Sequence, residues 1–264
     1  MYKLAIVGLG KMGSSILEGI LSTKVFNKNE ILLGLHDPIK ANEYINKGYN
    51  ATSNINDIYD NAEIIIVAIK PQGFKDSFIT AKNYDFKGKC IISIMAGIKI
   101  QTLEEFFKNA YIFRAMPNTP ALIRCGVSTI CYNSENEYKD NVKNIFNSFG
   151  NGYFISEDLM DASLPLNGSM PAYLYLFAKD FIDNGVANGI DYETAKALTA
   201  NSIIASAKMI LESPDSIDTL INNVCSKGGT TIAGLNELYN NGFEDAIKKC
   251  YEACMNRSIE LAKK

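Results

Sequence analysis

The chain has 264 residues, of which 47 % are hydrophobic and 21 % charged, with a net charge of −3. That length and balance suit one large or two modest globular domains that bury a core without disulfides or metals. The charge offers no basic footprint for nucleic acid or anionic lipid, and a single histidine leaves little for a zinc site. Six scattered cysteines without a CxxC pair read as free thiols in a reducing compartment. The apolar stretch Leu4–Val7 is too short for an export signal, and no run is long enough to span a bilayer. The expectation is a cytoplasmic protein with no membrane partner.

The first half alternates between short β-branched runs and segments of helical periodicity. Strands are expected at Tyr2–Val7, Ile31–Leu35, Glu63–Ile69, Cys90–Ile94, Tyr111–Ala115, Gly126–Tyr132 and Gly152–Ile155. Helices are expected at Ser14–Leu21, Ile39–Lys47, Gly73–Ala81, Ile100–Lys108 and Glu135–Phe149. Near-continuous apolar strands alternating with helices predict an α/β fold, a doubly wound, mostly parallel sheet of Rossmann type covered on both faces.

No strand is expected beyond Leu159. Pro171–Ala187 is apolar at helical spacing, and Asp191 is placed to cap a helix over Tyr192–Glu212. Pro214, Gly228-Gly229 and Asn241-Gly242 then separate helices at Ser216–Val224, Thr230–Tyr239 and Phe243–Ala262. The expected division is a dinucleotide-binding domain over 1–157 and an all-helical domain over 158–264. Two long helices that are apolar on more than one face need a cover, so a homodimer through the helical domain is expected.

Gly8-x-Gly10-x-x-Gly13 follows the first strand and opens a helix, with Lys11 and Met12 inside the turn. The first glycine permits the tight turn, the second lets backbone approach a pyrophosphate, and the third allows close helix–sheet packing. The pattern predicts NAD or NADP. Asp37, at the end of the second strand, either accepts the ribose 2′-hydroxyl or caps the helix that follows. A 2′-phosphate would meet like charge there, which tilts the expectation from NADPH to NADH.

Three further strand ends are candidates for lining the cofactor. Lys70 and Pro71 close the strand Glu63–Ile69 just past Ala68, and Ala96-Gly97 follow Cys90–Ile94 with side chains small enough for a ring to approach. Arg114–Pro120 is stiffened by Pro117 and Pro120, and Asn118 offers both a donor and an acceptor; the loop is either a binding element or a structural turn. In the helical half, Ser226-Lys227-Gly228-Gly229-Thr230-Thr231 bares backbone N–H groups at a helix start, which suits a carboxylate, with threonine hydroxyls beside it.

Taken together, these segments resemble the pyrroline-5-carboxylate reductase family from end to end. The resemblance rests on Gly8–Gly13 with Met12, Ile69–Gln72, Ala96-Gly97, Arg114–Pro120, Gly126 with Ser128-Thr129, Asp161, Gly168–Tyr173 and Gly228–Thr231. It implies NAD(P)H-dependent reduction of a small cyclic imine carboxylate to L-proline, by a Rossmann domain followed by a helical domain that interlocks with a second subunit, in some members within larger rings. It further implies that Ser226 and Gly228–Thr231 bind the substrate, that Thr231 donates the proton, and that Met116, Pro117 and Asn118 line the place where nicotinamide meets substrate. Met170, Lys227 and Leu164 stand where the family usually has glycine, proline and threonine. Two alternatives remain: a β-hydroxyacid dehydrogenase, and a non-catalytic cofactor-binding paralogue with a regulatory role. The first lacks its GxxxNxxK pattern, because Ala172 and Tyr175 follow Gly168 at those offsets.

Overall fold

A computed structural model describes residues 1–262. Its order is β1 (Tyr2–Val7), α1 (Lys11–Thr23), β2 (Ile31–Gly34), α2 (Pro38–Asn46), β3 (Asn50–Thr52), α3 (Ile55–Asn61) and β4 (Ala62–Val67). Then come α4 (Phe74–Ser77), β5 (Cys90–Ser93), α5 (Ile100–Phe106), β6 (Tyr111–Met116), β7 (Gly126–Tyr132), α6 (Lys139–Asn147) and β8 (Gly150–Phe154). The rest is helical: α7 (Met160–Ser163), α8 (Met170–Ala187), α9 (Tyr192–Glu212), α10 (Ile217–Val224), α11 (Thr230–Asn240) and α12 (Phe243–Leu261).

The strands form one sheet in the order β3-β2-β1-β4-β5-β6-β7-β8. Every pairing is parallel except β6 with β7, where Phe113 lies opposite Tyr132. Alternation along the strands explains the continuous apolar runs. Leu4, Ile6, Ile64, Ile66 and Ile92 enter one buried layer with Ile16 and Ile20 of α1. Ala5, Val7, Ile65, Val67 and Ile91 enter the other, with Phe74 of α4 and Leu103 of α5. Both faces of the sheet are covered, so no polar face is left to interrupt the strands. The chain reverses its direction of travel across the sheet between β1 and β4, and the crevice at the carboxyl ends of these strands is where such sheets bind ligands.

The helix expected at Glu135–Phe149 is shorter, Lys139–Asn147, and two further stretches differ in kind. The helix expected at Gly73–Ala81 is one α-turn, Phe74–Ser77, between 3₁₀ turns at Pro71–Gly73 and Ile79–Asn83. Phe74 and Phe78 do share a buried face, but β-branched Ile79 and Thr80 follow at once and disfavour continuation. The stretch 50–61, passed over in the sequence, holds edge strand β3 and helix α3. Asn54 caps α3 by accepting from the Asn56 N–H at 3.1 Å.

The chain divides into two compact units, Met1–Pro171 with the stretch from Cys254 onward, and Ala172–Ala253. The first unit thus reaches past residue 157, the division expected from sequence. Its later segments are tied together: Ser258 Oγ donates to Asp161 Oδ1 at 2.6 Å, and Cys254 Sγ lies 3.2 Å from Ser169 Oγ. In the second unit Asp191 accepts from the Thr194 N–H at 3.0 Å and starts α9. Among the described residues, Ala195 is the one hydrophobic residue of that unit that is buried.

Candidate active site

The glycine turn sits at the carboxyl end of β1. Gly8 has φ +96° and donates to the Gly34 carbonyl at 2.9 Å, which locks the turn against β2. A Cβ on Gly8 would lie 2.8 Å from the Ala68 carbonyl oxygen, and one on Gly13 would lie 2.1 Å from the Gly8 carbonyl oxygen. A Cβ on Gly10 would meet nothing within 4 Å. Two glycines are therefore demanded by packing, while the third borders open space at the start of α1. Gly10 is the N-cap of α1 and no side chain bonds its first amides, so those N–H groups are available to an anion. The residues present fit a dinucleotide pyrophosphate. Lys11 is exposed beside them and Met12 is half-buried.

Next to this turn lies a cavity of about 530 Å³ lined by Gly8, Leu35, His36, Asn54, Ile69 and Asp76, among others. Its wall at Thr52–Ile55 belongs to the stretch missed in the sequence; the Thr52-Ser-Asn54 run, typical of a helix start, was the available signal. Asp37 caps α2, its Oδ1 accepting from the Ile39 N–H at 2.9 Å. Ala68 is half-buried, bonded to the Val7 carbonyl through its N–H at 2.8 Å, and exposed Lys70 opens the 3₁₀ turn that Pro71 starts. Ala96 is exposed and Gly97, at φ +77°, completes the turn after β5.

The turn after β6 is built around two buried polar side chains. Arg114 is 3 % exposed and its Nη1 lies 3.0 Å from Glu157 Oε1, the same oxygen that accepts from the Ile100 N–H at 2.8 Å. Asn118 is likewise buried, with Nδ2 donating to the Asn167 carbonyl at 3.0 Å and Oδ1 accepting from the Val127 N–H at 2.8 Å. Both amide groups that the sequence offered to a ligand are engaged by backbone. Pro117 is buried and Met116 half-buried. Sequence reasoning missed Asn167, which is 3 % exposed and holds this turn. Leu164 packs over Gly168, where a Cβ would lie 2.5 Å from Leu164 Cδ1.

In the helical unit, Gly229 N–H donates to the Ser226 carbonyl at 2.9 Å, and Gly228 takes φ +70°. A Cβ on Gly229 would fall 2.3 Å from Ser226 Oγ. Gly229 is the N-cap of α11 and no side chain caps that helix. Lys227, Thr230 and Thr231 are exposed, and Thr231 also borders an apolar groove of about 430 Å³ with Met209, Leu220 and Leu235. Among the described residues no helix is long and apolar enough to cross a membrane.

Comparison with known proteins covers both units. Residues 157–261 match the family described as pyrroline-5-carboxylate reductase dimerisation, and residues 3–97 match the family of F420-dependent NADP oxidoreductases. The pyrroline-5-carboxylate reductase of Synechocystis is 33 % identical across 99 % of this chain and 99 % of its own. The chain belongs to the pyrroline-5-carboxylate reductase family. Two solved structures of that family superpose closely. The Plasmodium falciparum pyrroline carboxylate reductase, with NADP bound, has a TM-score of 0.87 at 33 % identity, covering 99 % of this chain and 98 % of that one. The Coxiella burnetii pyrroline-5-carboxylate reductase has a TM-score of 0.90 at 27 % identity, covering 98 % of each. Membership makes the chain an oxidoreductase that uses a nicotinamide cofactor.

Proposed function

We propose that this chain reduces 1-pyrroline-5-carboxylate to L-proline with a reduced nicotinamide cofactor, in the cytoplasm. The observation that carries this reading is the end-to-end match to reductases of that name, across the cofactor unit and the helical unit alike. The cofactor, when bound, supplies hydride to the imine carbon. The protein's part is positioning and charge. The amides at the start of α1, with Lys11 and Met12 beside them, hold the pyrophosphate. Ala68, Lys70, Pro71, Ala96 and Gly97 line the cofactor at the strand ends. A protonated imine is already electrophilic, so alignment does more than a strong acid would.

The Ser226–Thr231 loop supplies the substrate carboxylate site. Uncapped N–H groups at the start of α11 favour an anion, and Thr230 and Thr231 add hydroxyl donors. Thr231 gives the ring nitrogen its proton. Met116, Pro117 and Asn118 contribute through their backbone and the Met116 side chain, since the Asn118 amide is engaged elsewhere. Asp37 disfavours a 2′-phosphate and makes NADH the preferred reductant. Residues 158–264 form the substrate and dimerisation part, and residues 1–157 the dinucleotide part. The near absence of buried apolar side chains in Ala172–Ala253 supports a homodimer through that unit, open to further assembly into a ring.

The test mixes purified protein, pyrroline-5-carboxylate and NADH or NADPH and follows absorbance of the reduced cofactor. Oxidation with proline formed in equal amount supports the reading; no oxidation with either cofactor overturns it. A Thr231→Ala variant that turns over as fast as the parent removes Thr231 as proton donor.

A further inference from the structure

The turn that leaves β6 is held from behind by a residue some fifty positions along the chain. Asn167 Nδ2 donates to the Met116 carbonyl at 2.8 Å and lies 3.4 Å from Thr129 Oγ1. In return the Asn167 carbonyl accepts from Asn118 Nδ2 at 3.0 Å. Met116 and Asn118, the two ends of the turn around Pro117, are thus gripped by the side chain and the backbone of one residue. Asn167 is itself fixed: its N–H donates to the Ser163 carbonyl at 3.2 Å, and Ser163 Oγ lies 3.3 Å from Thr129 Oγ1 on β7.

The chemistry of the grip is specific. A carbonyl only accepts, so the Asn167 amide must present its nitrogen to Met116. That orientation leaves Asn167 Oδ1 buried without a partner in the protein, an arrangement tolerated where the donor bond on the other side is needed. Aspartate would set acceptor against acceptor. Leucine would keep the volume and lose the bond, and serine is too short to span the same gap.

We infer that Asn167 is a positioning residue for the reductase reaction, fixing the Met116 carbonyl and the Asn118 side chain so that the turn presents a single geometry to the reactants. The inference rests on the reading above that Met116–Asn118 lines the reacting centre. It predicts an effect on turnover rather than on cofactor binding, because the glycine turn is built without Asn167.

The experiment compares Asn167→Ser and Asn167→Leu with the parent. It measures kcat, KM for pyrroline-5-carboxylate, dinucleotide affinity from fluorescence of the reduced cofactor, and amide hydrogen exchange. The expected result is a fall in kcat of about tenfold to a hundredfold from a displaced turn. Dinucleotide affinity stays within about twofold, since each tenfold in affinity would need a further 1.4 kcal/mol of lost contact. The Val127 N–H, held by Asn118, exchanges faster in both variants, while the amides of Gly8–Gly13 do not change. Unchanged turnover in an active parent background overturns the inference. So does a loss of dinucleotide affinity in step with kcat, or the failure of both variants to fold, since Asn167 would then serve the whole fold. A parent inactive with both cofactors defeats the reaction assignment instead; the exchange of Val127 then decides, and unaltered exchange overturns the positioning role.

Discussion

Glu157 Oε1 lies 3.0 Å from Nη1 of Arg114 and also accepts the Ile100 N–H, so one carboxylate joins β6 to the start of α5. The pair is asymmetric: Arg114 is 3 % exposed and Glu157 32 %. Removing the acid strands a guanidinium that cannot shed its charge. Glu157→Ala is expected to cost roughly 2–4 kcal/mol, near the lower part of the range for broken buried pairs because the acid is partly solvated. Urea denaturation of parent and variant measures it, and a cost under half a kilocalorie would show that water replaces the carboxylate.

Gly13→Ala tests the glycine turn more sharply than a change at Gly10. The added methyl would sit 2.1 Å from the Gly8 carbonyl oxygen, whereas at Gly10 it meets open space. Overpacking of that kind costs about 1–3 kcal/mol, which is about tenfold to a hundredfold in dinucleotide affinity if the turn absorbs it. Titration with the reduced cofactor should show that loss for Gly13→Ala. Gly10→Ala should fold normally and weaken the dinucleotide only by crowding the pyrophosphate.

Asp37 combines a cap with a charge, and the two can be separated. Serine caps a helix about as well as aspartate, so Asp37→Ser keeps the start of α2 while removing the negative charge. The ratio of kcat/KM for NADPH over NADH should rise about tenfold, equivalent to 1.4 kcal/mol of relieved repulsion. An unchanged ratio would leave Asp37 as a cap alone.

Burial pushes the Cys131 thiol up to about 12, with the nearby Glu157 charge adding to the rise, and burial drives Cys90 well above its ordinary value. A thiol held protonated in the folded chain but free to ionise in the unfolded one contributes stability that is complete below pH about 9 and lost as pH climbs towards about 12. Denaturation midpoints should therefore fall across that window, and Cys131→Ala should flatten the fall. Under native conditions at pH 8, alkylation read by mass spectrometry should reach exposed Cys125 well before buried Cys90 or Cys131.

How much of this was legible in the sequence depended on what each residue answers to. Strands such as Tyr2–Val7 and Gly126–Tyr132 lie where periodicity put them, because both faces of the sheet are buried and every position carries signal. The α9 start at Asp191 was readable because a cap is a local event. The short pieces around Phe74 and Asn54 were not, since their form depends on side chains docking against the sheet. The turn at Asn118 shows the limit for function. Its polarity was visible, but a buried amide facing Val127 and one facing a ligand look alike until the partner, forty-nine residues away in the case of Asn167, is brought beside it.

The return of α12 to the first unit carries a consequence for biosynthesis. Cys254–Ala262 pack with residues 1–171, yet the ribosome makes them only after the whole of Ala172–Ala253. The dinucleotide unit thus cannot be finished while it alone has emerged, and Asp161 and Ser169 wait for Ser258 and Cys254. A nascent chain stalled near residue 171 would still lack both of those bonds.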